Sequence, residues 1–227
     1  MIPRISVVIP TLNEAETISQ AVCRAKALEP CEIIVADGGS CDQTARLART
    51  AGCTVIESPP GRGIQLNRGA EQAAGDTLLF LHADNWLDPA APAQIAKVLA
   101  DPKIGGGGFR QRIDASHAVY RLLERGNALR ATARSLFYGD QGIFVRSETF
   151  HRLGGFADVQ LMEDVIFSRK LRRQSRMVLL PGPIHVSPRR WQQHGVVRQT
   201  LRNWMLVTAL TLRVPPDRLA RFYPMHG

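Results

Sequence analysis

Carboxylates at the ends of apolar runs are the first residues here whose types and spacing suit chemistry on an anionic substrate. Asp84 follows the most apolar run of the chain, in Leu81-His-Ala-Asp84. A carboxylate at the mouth of a buried strand suits a divalent cation; it equally suits a turn or helix start ahead of Pro89. Asp37, in Val35-Ala-Asp-Gly-Gly-Ser40, ends another such run. It can accept hydrogen bonds from a base or ribose while the glycines allow close backbone approach, or it can close a tight turn. Glu163-Asp164 opens a helical stretch that ends in Lys170, Arg172 and Arg173, an arrangement that also complements the helix dipole. Group transfer from a diphosphate needs a cation to take up leaving-group charge, a basic residue near the phosphates and a separate acidic base for the incoming hydroxyl. These residue types are all present.

The elements that must position them alternate regularly through the first hundred residues. Ile5-Ser-Val-Val-Ile9 is a β-branched run suited to a buried strand, and residues 13–27 carry helical spacing with Ile18, Val22 and Ala25 on one face. Glu32–Ala36, Cys53–Ile56 and Thr77–Leu81 read as further strands. Predicted helices at 42–50, with Asp42 as N-cap, and at 65–74 separate them. Alternation at this pitch predicts an α/β fold, a mostly parallel central sheet flanked by helices. In such sheets ligands bind beyond the carboxyl ends of the strands. Each predicted strand runs into polar residues there: Thr11–Glu14, Asp37–Ser40, Ser58–Gly63 and His82–Asn85. The second half is less regular. Gly105–Gly108 reads as a flexible run before a strand at Phe109–Ile113. A basic helix over 117–134, a strand over 141–146, a helix over 162–173 and an amphipathic basic helix from Val196 to Arg213 follow.

With 227 residues, 44% hydrophobic and 22% charged, the chain can build one substantial core, which excludes wholesale disorder. A formal charge of +9 favours anionic partners, but no aromatic-basic RNA or DNA motif is present, so no nucleic-acid partner is expected. The apolar run after Met-Ile-Pro-Arg is too short for a signal-peptide core, and no stretch is long enough for a spanning helix. Cys23, Cys31, Cys41 and Cys53 lack metal-site spacing and read as reduced thiols. The expectation is a cytoplasmic protein, with the inner face of the membrane as the alternative location.

Read together, Ile5-Ser-Val-Val-Ile-Pro-Thr-Leu-Asn-Glu14, Ile34-Val-Ala-Asp-Gly-Gly-Ser-Cys-Asp-Gln-Thr44, Asn67-Arg-Gly-Ala, Ala74-Gly-Asp and Leu79-Phe-Leu-His-Ala-Asp84 resemble the family 2 inverting glycosyltransferases with the GT-A fold. The resemblance covers residues 4–90 in order and spacing and extends to about residue 191. It implies a nucleotide-diphospho-sugar donor, an acceptor hydroxyl not identified by the sequence, and Mg²⁺ or Mn²⁺. It also implies a nucleotide-binding half over 1–100, an acceptor half over 101–191 and a helical tail over 192–227. By its own basic and apolar faces that tail, like the helix over 117–134, reads as packed on the same domain or lying on a membrane surface, where it could meet a lipid-linked acceptor. By resemblance Pro10, Thr11, Glu14 and Asp37 line the nucleotide pocket, Arg62 and Asn67 sit near the base or diphosphate, and Asp84 is the metal ligand of a D-x-D element. Glu163-Asp164 matches the family's E-D pair, whose aspartate is the base.

The chain departs from that pattern at His82, which stands where the family usually has the first aspartate. It reads either as a ligand or as a satisfied histidine at a strand end. Arg190 and Trp191, in Arg189-Arg-Trp191, are similar to an R-W element that closes over the donor diphosphate; the alternative is a basic turn with a partly buried tryptophan. His185 can complete the metal shell or serve a structural role in a Pro-rich loop. Two other functions remain in view. One is a non-catalytic nucleotide-sugar sensor or membrane-surface scaffold. The other is a sugar-phosphate nucleotidyltransferase, against which the first loop, Pro10-Thr-Leu-Asn-Glu14, lacks glycine and a basic residue.

Overall fold

The computed structural model describes residues 3–212 and 214–220. Its first part runs β1 (Ile5–Thr11), α1 (Ile18–Lys26), β2 (Glu32–Asp37), α2 (Thr44–Thr50), β3 (Thr54–Glu57), α3 (Arg62–Glu71), β4 (Thr77–Phe80), β5 (Asn85–Leu87) and α4 (Ala91–Leu99). Its second part runs β6 (Ile104–Ile113), α5 (Ala118–Arg134), a 3-10 turn at Gly139–Gln141, β7 (Phe144–Arg146), α6 (Ser147–Arg152), α7 (Glu163–Gln174) and β8 (Arg176–Val186). The helices α8 (Arg189–His194), α9 (Val196–Thr211) and α10 (Pro216–Ala220) complete it.

One eight-stranded sheet takes the order β3-β2-β1-β4-β7-β6-β8-β5. Strands β1 to β4 are mutually parallel, as the alternating pattern predicts, with Thr11 opposite Asp37 and Asp37 opposite Glu57 at their carboxyl ends. Beyond β4 the sheet is mixed: β7 is antiparallel to β4 and β6, β8 is parallel to β6, and β5 is antiparallel to β8. Alternate residues serve opposite faces. Val7, Ile9, Leu79 and Leu81 join one buried cluster, while Val8, Leu78 and Phe80 join another with Phe150, Phe156 and Phe167. Both faces are therefore covered, which is why the strands lack polar alternation.

Three expectations differ from the structure in instructive ways. The first helix begins at Ile18, five residues after the expected start. Asn13 holds a left-handed backbone (φ 54°), its Oδ1 accepts the Cys41 N–H at 2.9 Å, and no helix can propagate through that conformation. The Gly105–Gly108 run is strand, not flexible chain. A Cβ on Gly107 would stand 2.0 Å from the Val178 carbonyl oxygen, and one on Gly106 would stand 2.3 Å from that of Phe144. These glycines are what lets β6 sit between β7 and β8 beneath α7. His185 lies on β8, not in a loop. Pro181-Gly-Pro183 disguises that strand, yet the register runs Phe109–Leu180 and then Gln111–Ile184. The prolines thus fall in an irregularity where no ladder donor is required.

Four phenylalanines connect the two halves of the fold. Phe80 of β4 lies 5.2 Å from Phe150 and 5.0 Å from Phe156, and Phe167 of α7 lies 5.3 and 4.7 Å from the same two rings. All four are buried. Phe80 stands four residues before Asp84 and Phe167 three after Asp164, so this cluster sets the spacing of the two carboxylates.

Gly107→Ala is expected to cost roughly 3 kcal/mol of stability, because the neighbour that must give way is backbone. A fall in the urea midpoint at unchanged slope would register it; an unchanged midpoint would show that the β6–β8 approach is less tight than described.

Candidate active site

The carboxyl ends of β1, β2 and β3 form a braced rim. Asp37 Oδ2 accepts the Gly39 and Ser40 N–H groups at 3.2 and 3.0 Å, and its Oδ1 accepts the hydroxyls of Ser40 and, at 3.4 Å, Thr11. Asp37 is therefore the closing residue of a turn. Its loop is stitched to the first one: Asn13 N–H donates to Ser40 Oγ at 2.9 Å, Glu14 N–H to Thr44 Oγ1 at 2.7 Å and Ala15 N–H to Asp42 Oδ2 at 3.1 Å. Glu14 turns its own carboxylate to the Thr17 hydroxyl, 2.6 Å away. Pro10 is half-buried at the end of β1. From below, Gln65 Nε2 donates to the carbonyl oxygens of Thr11 and Ala36, at 2.7 and 2.9 Å. A cleft of about 460 Å³ opens on this rim, lined in part by Asp37, Ser40, Arg49, Glu57 and Ser58.

Beside the rim, α7 opens with its two acids turned inward. Met162 takes a left-handed backbone (φ 69°) just ahead of them, and both Glu163 and Asp164 are buried. Non-glycine residues hold that conformation only where the surroundings enforce it. Glu163, 1% exposed, pairs with Arg62 at the start of α3 through Oε1, and its Oε2 has no partner among the described residues. Asp164 Oδ2 accepts the Gly139 N–H at 2.6 Å and Oδ1 accepts the Val165 N–H at 2.7 Å. One helical turn on, Ser168 accepts from Phe137 N–H at 3.1 Å and donates to its carbonyl at 2.9 Å. The i, i+4 pair Asp164 and Ser168 thus anchors residues 137–139.

Gly139 brings the strand end and the helix start together. A Cβ there would stand 2.7 Å from His82 Nε2 and 3.4 Å from Asp164 Oδ2, so those two atoms lie within about 6 Å of each other. Burial pushes the Asp164 carboxyl up to about 6; the neighbouring Glu163 adds to the rise, while Arg62 and the two N–H donors oppose it. Tyr138 completes the wall, with the Arg130 guanidinium 3.4 Å from its ring centre. Burial pushes the Tyr138 hydroxyl up and holds Arg130 below its ordinary value.

Asp84 lies half-buried just past β4. With the Asn85 amide turned so that its nitrogen faces Asp84, it donates to Oδ1 at 2.9 Å. No three His, Cys, Asp or Glu side chains among the described residues gather as a metal-ligating group. A single hard carboxylate at a strand mouth nevertheless fits Mg²⁺ or Mn²⁺, ions that take one or two protein carboxylates and complete their shell with water and substrate phosphate oxygens.

Three expected site residues are engaged elsewhere. His185 Nδ1 stands 3.0 Å from Asp114 Oδ1 and Nε2 3.5 Å from Asp88 Oδ1, with its ring stacked on Trp86 at 4.9 Å. That surrounding holds the ring in place on β8, opposite Trp86 of β5. Asn67 clamps the backbone of Phe156, accepting its N–H at 2.9 Å and donating to its carbonyl at 3.0 Å, so its amide positions the phenylalanine cluster. Trp191 is buried in the larger core cluster, edge-on to Tyr120 at 6.3 Å. The side chain of Arg190 lies outside the described residues. Sequence reasoning missed Gly139, Tyr138, Ser168, Arg130 and Gln65. The polar run Tyr138-Gly-Asp-Gln141 ahead of an apolar strand was the available signal.

The order of these features along the chain can be compared with known proteins. Residues 6–174 match glycosyl transferase family 2. The chain belongs to that family. It is 28% identical over 171 residues to the undecaprenyl-phosphate 4-deoxy-4-formamido-L-arabinose transferase of Serratia proteamaculans, covering 66% of this chain and 50% of the relative. The chain thus spans about half the length of that protein. Among solved structures it resembles a mannosyltransferase from Pyrobaculum calidifontis bound to GDP-Man and Mn²⁺, with TM-score 0.65, 21% identity and coverage of 82% and 57% of the two chains. It also resembles the Mycobacterium tuberculosis glucosyl-3-phosphoglycerate synthase bound to Mn²⁺, UDP and glucosyl-3-phosphoglycerate, with TM-score 0.56, 25% identity and coverage of 79% and 70%. The family 2 enzyme thus has the GT-A fold, with His82, Asp84 and Asp164 at the carboxyl edge of its sheet.

Arg62→Met should destabilise this family 2 chain by about 3 kcal/mol, since it strands the buried Glu163 carboxylate. Arg62→Met/Glu163→Met should recover most of the loss in denaturant titrations. Equal losses in the single and double variants would mean the pair is not what holds α3 to α7.

Proposed function

We propose that the chain transfers a sugar, with inversion, from a nucleotide-diphospho-sugar to an acceptor hydroxyl. The donor's nucleoside lies in the cleft at the carboxyl ends of β2 and β3, over Asp37 and Ser40, and its diphosphate extends toward Asp84 and Arg62. The acceptor hydroxyl approaches the anomeric carbon from the Asp164 side. Its oxygen forms the new bond as the bond to the diphosphate oxygen breaks, and its proton passes to Asp164. A divalent cation held by Asp84, when bound, would neutralise charge on the departing diphosphate. Glu163 acts on the base by position, as a fixed charge balanced by Arg62.

The observation that carries this reading is the setting of Asp164. It is buried, anchored by two N–H groups, raised to about 6, and it abuts the same glycine as the residue two before Asp84. A base whose carboxyl sits that high is stronger than an exposed aspartate and still ionised at neutral pH. The metal-bound mannosyltransferase and synthase structures support a cation and a nucleotide-linked donor here.

Calorimetric titration with UDP- and GDP-sugars is expected to give binding that requires Mn²⁺ or Mg²⁺ and disappears in Asp84→Ala. Asp164→Asn should bind the same donor and turn over about 10³-fold more slowly. Binding without turnover in the unaltered protein would point instead to a nucleotide-sugar sensor.

Activity should fall with decreasing pH through about 6 as Asp164 takes up a proton. Stability carries the opposite sign: the raised carboxyl favours the folded state at low pH, and that contribution is lost as pH rises through about 6. Unfolding free energies of Asp164→Asn relative to the unaltered chain should shift in the variant's favour between pH 4 and pH 8. A difference independent of pH would deny the raised value.

A further inference from the structure

The helix α9 is apolar on two opposite sides. Leu206, Val207 and Leu210 are buried, and Leu206 and Leu210 pack with Leu161 and Val165, the latter next to Asp164. The other side carries Leu201, Trp204, Met205 and Leu212, which are 55%, 62%, 68% and 75% exposed. Their positions i, i+3, i+4 and i+11 fall on one stripe of a helix. Single exposed leucines are ordinary on protein surfaces, but a continuous stripe with an exposed tryptophan and methionine marks a contact surface.

The charges on α9 itself have one sign. Val196–Thr211 contains no Asp or Glu, and Arg198 is exposed three positions before Leu201. At the other end Arg169 Nη2 donates to Thr211 Oγ1 at 2.7 Å, bringing the Arg169, Arg172 and Arg173 end of α7 against α9. Burial first, then Arg172 and Arg173, hold the Arg169 guanidinium below its ordinary value. Arg172 Nη1 in turn donates to the Arg134 carbonyl at the end of α5, whose own outer face exposes Leu122 and Leu129 with Arg125 between them.

We propose that the outer face of α9 docks on an anionic lipid surface, with Leu201, Trp204, Met205 and Leu212 in the interfacial layer and the arginines on lipid phosphates. An apolar stripe fringed by arginine, with a tryptophan at its middle, matches such an interface on both counts. A second copy of the chain fits less well, because a two-fold contact would set one arginine fringe against the other. Nucleic acid would make no use of the aliphatic side chains. No helix among the described residues is long and apolar enough to cross a membrane, so α9 lies on the surface and does not span it. Docking does not depend on the transferase reading. Where that reading holds, docking sets Asp164 about one helix–helix spacing, ~10 Å, from the lipid, within reach of an amphiphilic acceptor.

The test is sedimentation with sucrose-loaded vesicles of phosphatidylcholine alone or with about 30% phosphatidylglycerol. The full chain should bind the anionic vesicles, more weakly as salt rises, with a blue shift in tryptophan emission that Trp204→Phe abolishes. Trp204→Ser/Met205→Ser should weaken binding by roughly tenfold or more while leaving the thermal midpoint and donor binding unchanged, since both side chains are already in water. Failure to bind anionic vesicles, or equal binding by the double variant, overturns the proposal. So does a dimer in light scattering that the double variant disperses, which would assign the stripe to self-association. A loss of turnover with vesicle binding intact would bear on the transferase reading alone.

Discussion

Two adjacent carboxylates buried at the start of one helix set the terms for the rest of this structure. Neither can be ionised in the interior without compensation, and placed side by side each raises the cost of the other. The fold answers with two different devices. Glu163 receives a full countercharge from Arg62, carried on α3 across the sheet face. Asp164 bonds directly only to dipoles, the N–H groups of Gly139 and Val165, and feels the Arg62 charge from farther off. One acid is therefore held as a balanced ion and the other is left strained toward protonation. That asymmetry sets the two carboxylates apart, and it requires α3, α7 and the 137–139 segment to be fixed relative to one another.

The fixing is done by parts with no chemistry of their own. Asn67 holds the Phe156 backbone at both its N–H and its carbonyl, and Phe156 belongs to the ring cluster joining β4 to α7. Gln65, two residues earlier on α3, bonds the Thr11 and Ala36 carbonyls at the ends of β1 and β2. A single helix thus carries the countercharge, braces the rim around the cleft and clamps the aromatic core. Gly63 on the same helix permits the approach: a Cβ there would come within 2.6 Å of the Ala157 carbonyl and 3.4 Å of Glu163 Cβ. Arg62, Gly63 and Asn67 of α3 are accordingly tied to the position of α7.

The parallel half of the fold was legible because strands buried on both faces read as unbroken apolar runs, and the polar residues after each one marked the carboxyl edge. Asp84 was picked out for that reason, and the Glu163-Asp164 pair through the family resemblance. In the mixed half α5, β7, α7, α9 and the later part of β6 were read from the sequence as well, but β8 and the opening of β6 were not. β8 hides behind Pro181 and Pro183, and β6 opens with four glycines; both compositions normally argue against a strand, and only the neighbouring backbones show why they are tolerated. Asn67 and Trp191 were legible as residue types but not as contacts. An asparagine clamping a backbone and a tryptophan edge-on to Tyr120 look, in sequence, like a ligand donor and a stacking platform. Gly139 has no side chain to notice, and its importance lies in what it leaves room for.

That room also gives a physical reason for the histidine in place of a first aspartate. His82 and Asp164 lie within about 6 Å of each other across Gly139, with Glu163 adjacent and Asp84 two residues further along. A carboxylate at position 82 would be a further like charge beside Asp164, pushing a carboxyl already raised by burial still further from ionisation at neutral pH. An imidazole puts no carboxylate there, and its Nε2 would stand 2.7 Å from a Cβ on Gly139. The departure at His82 therefore keeps the negative charge around Asp164 within what Arg62 and two peptide N–H groups can hold.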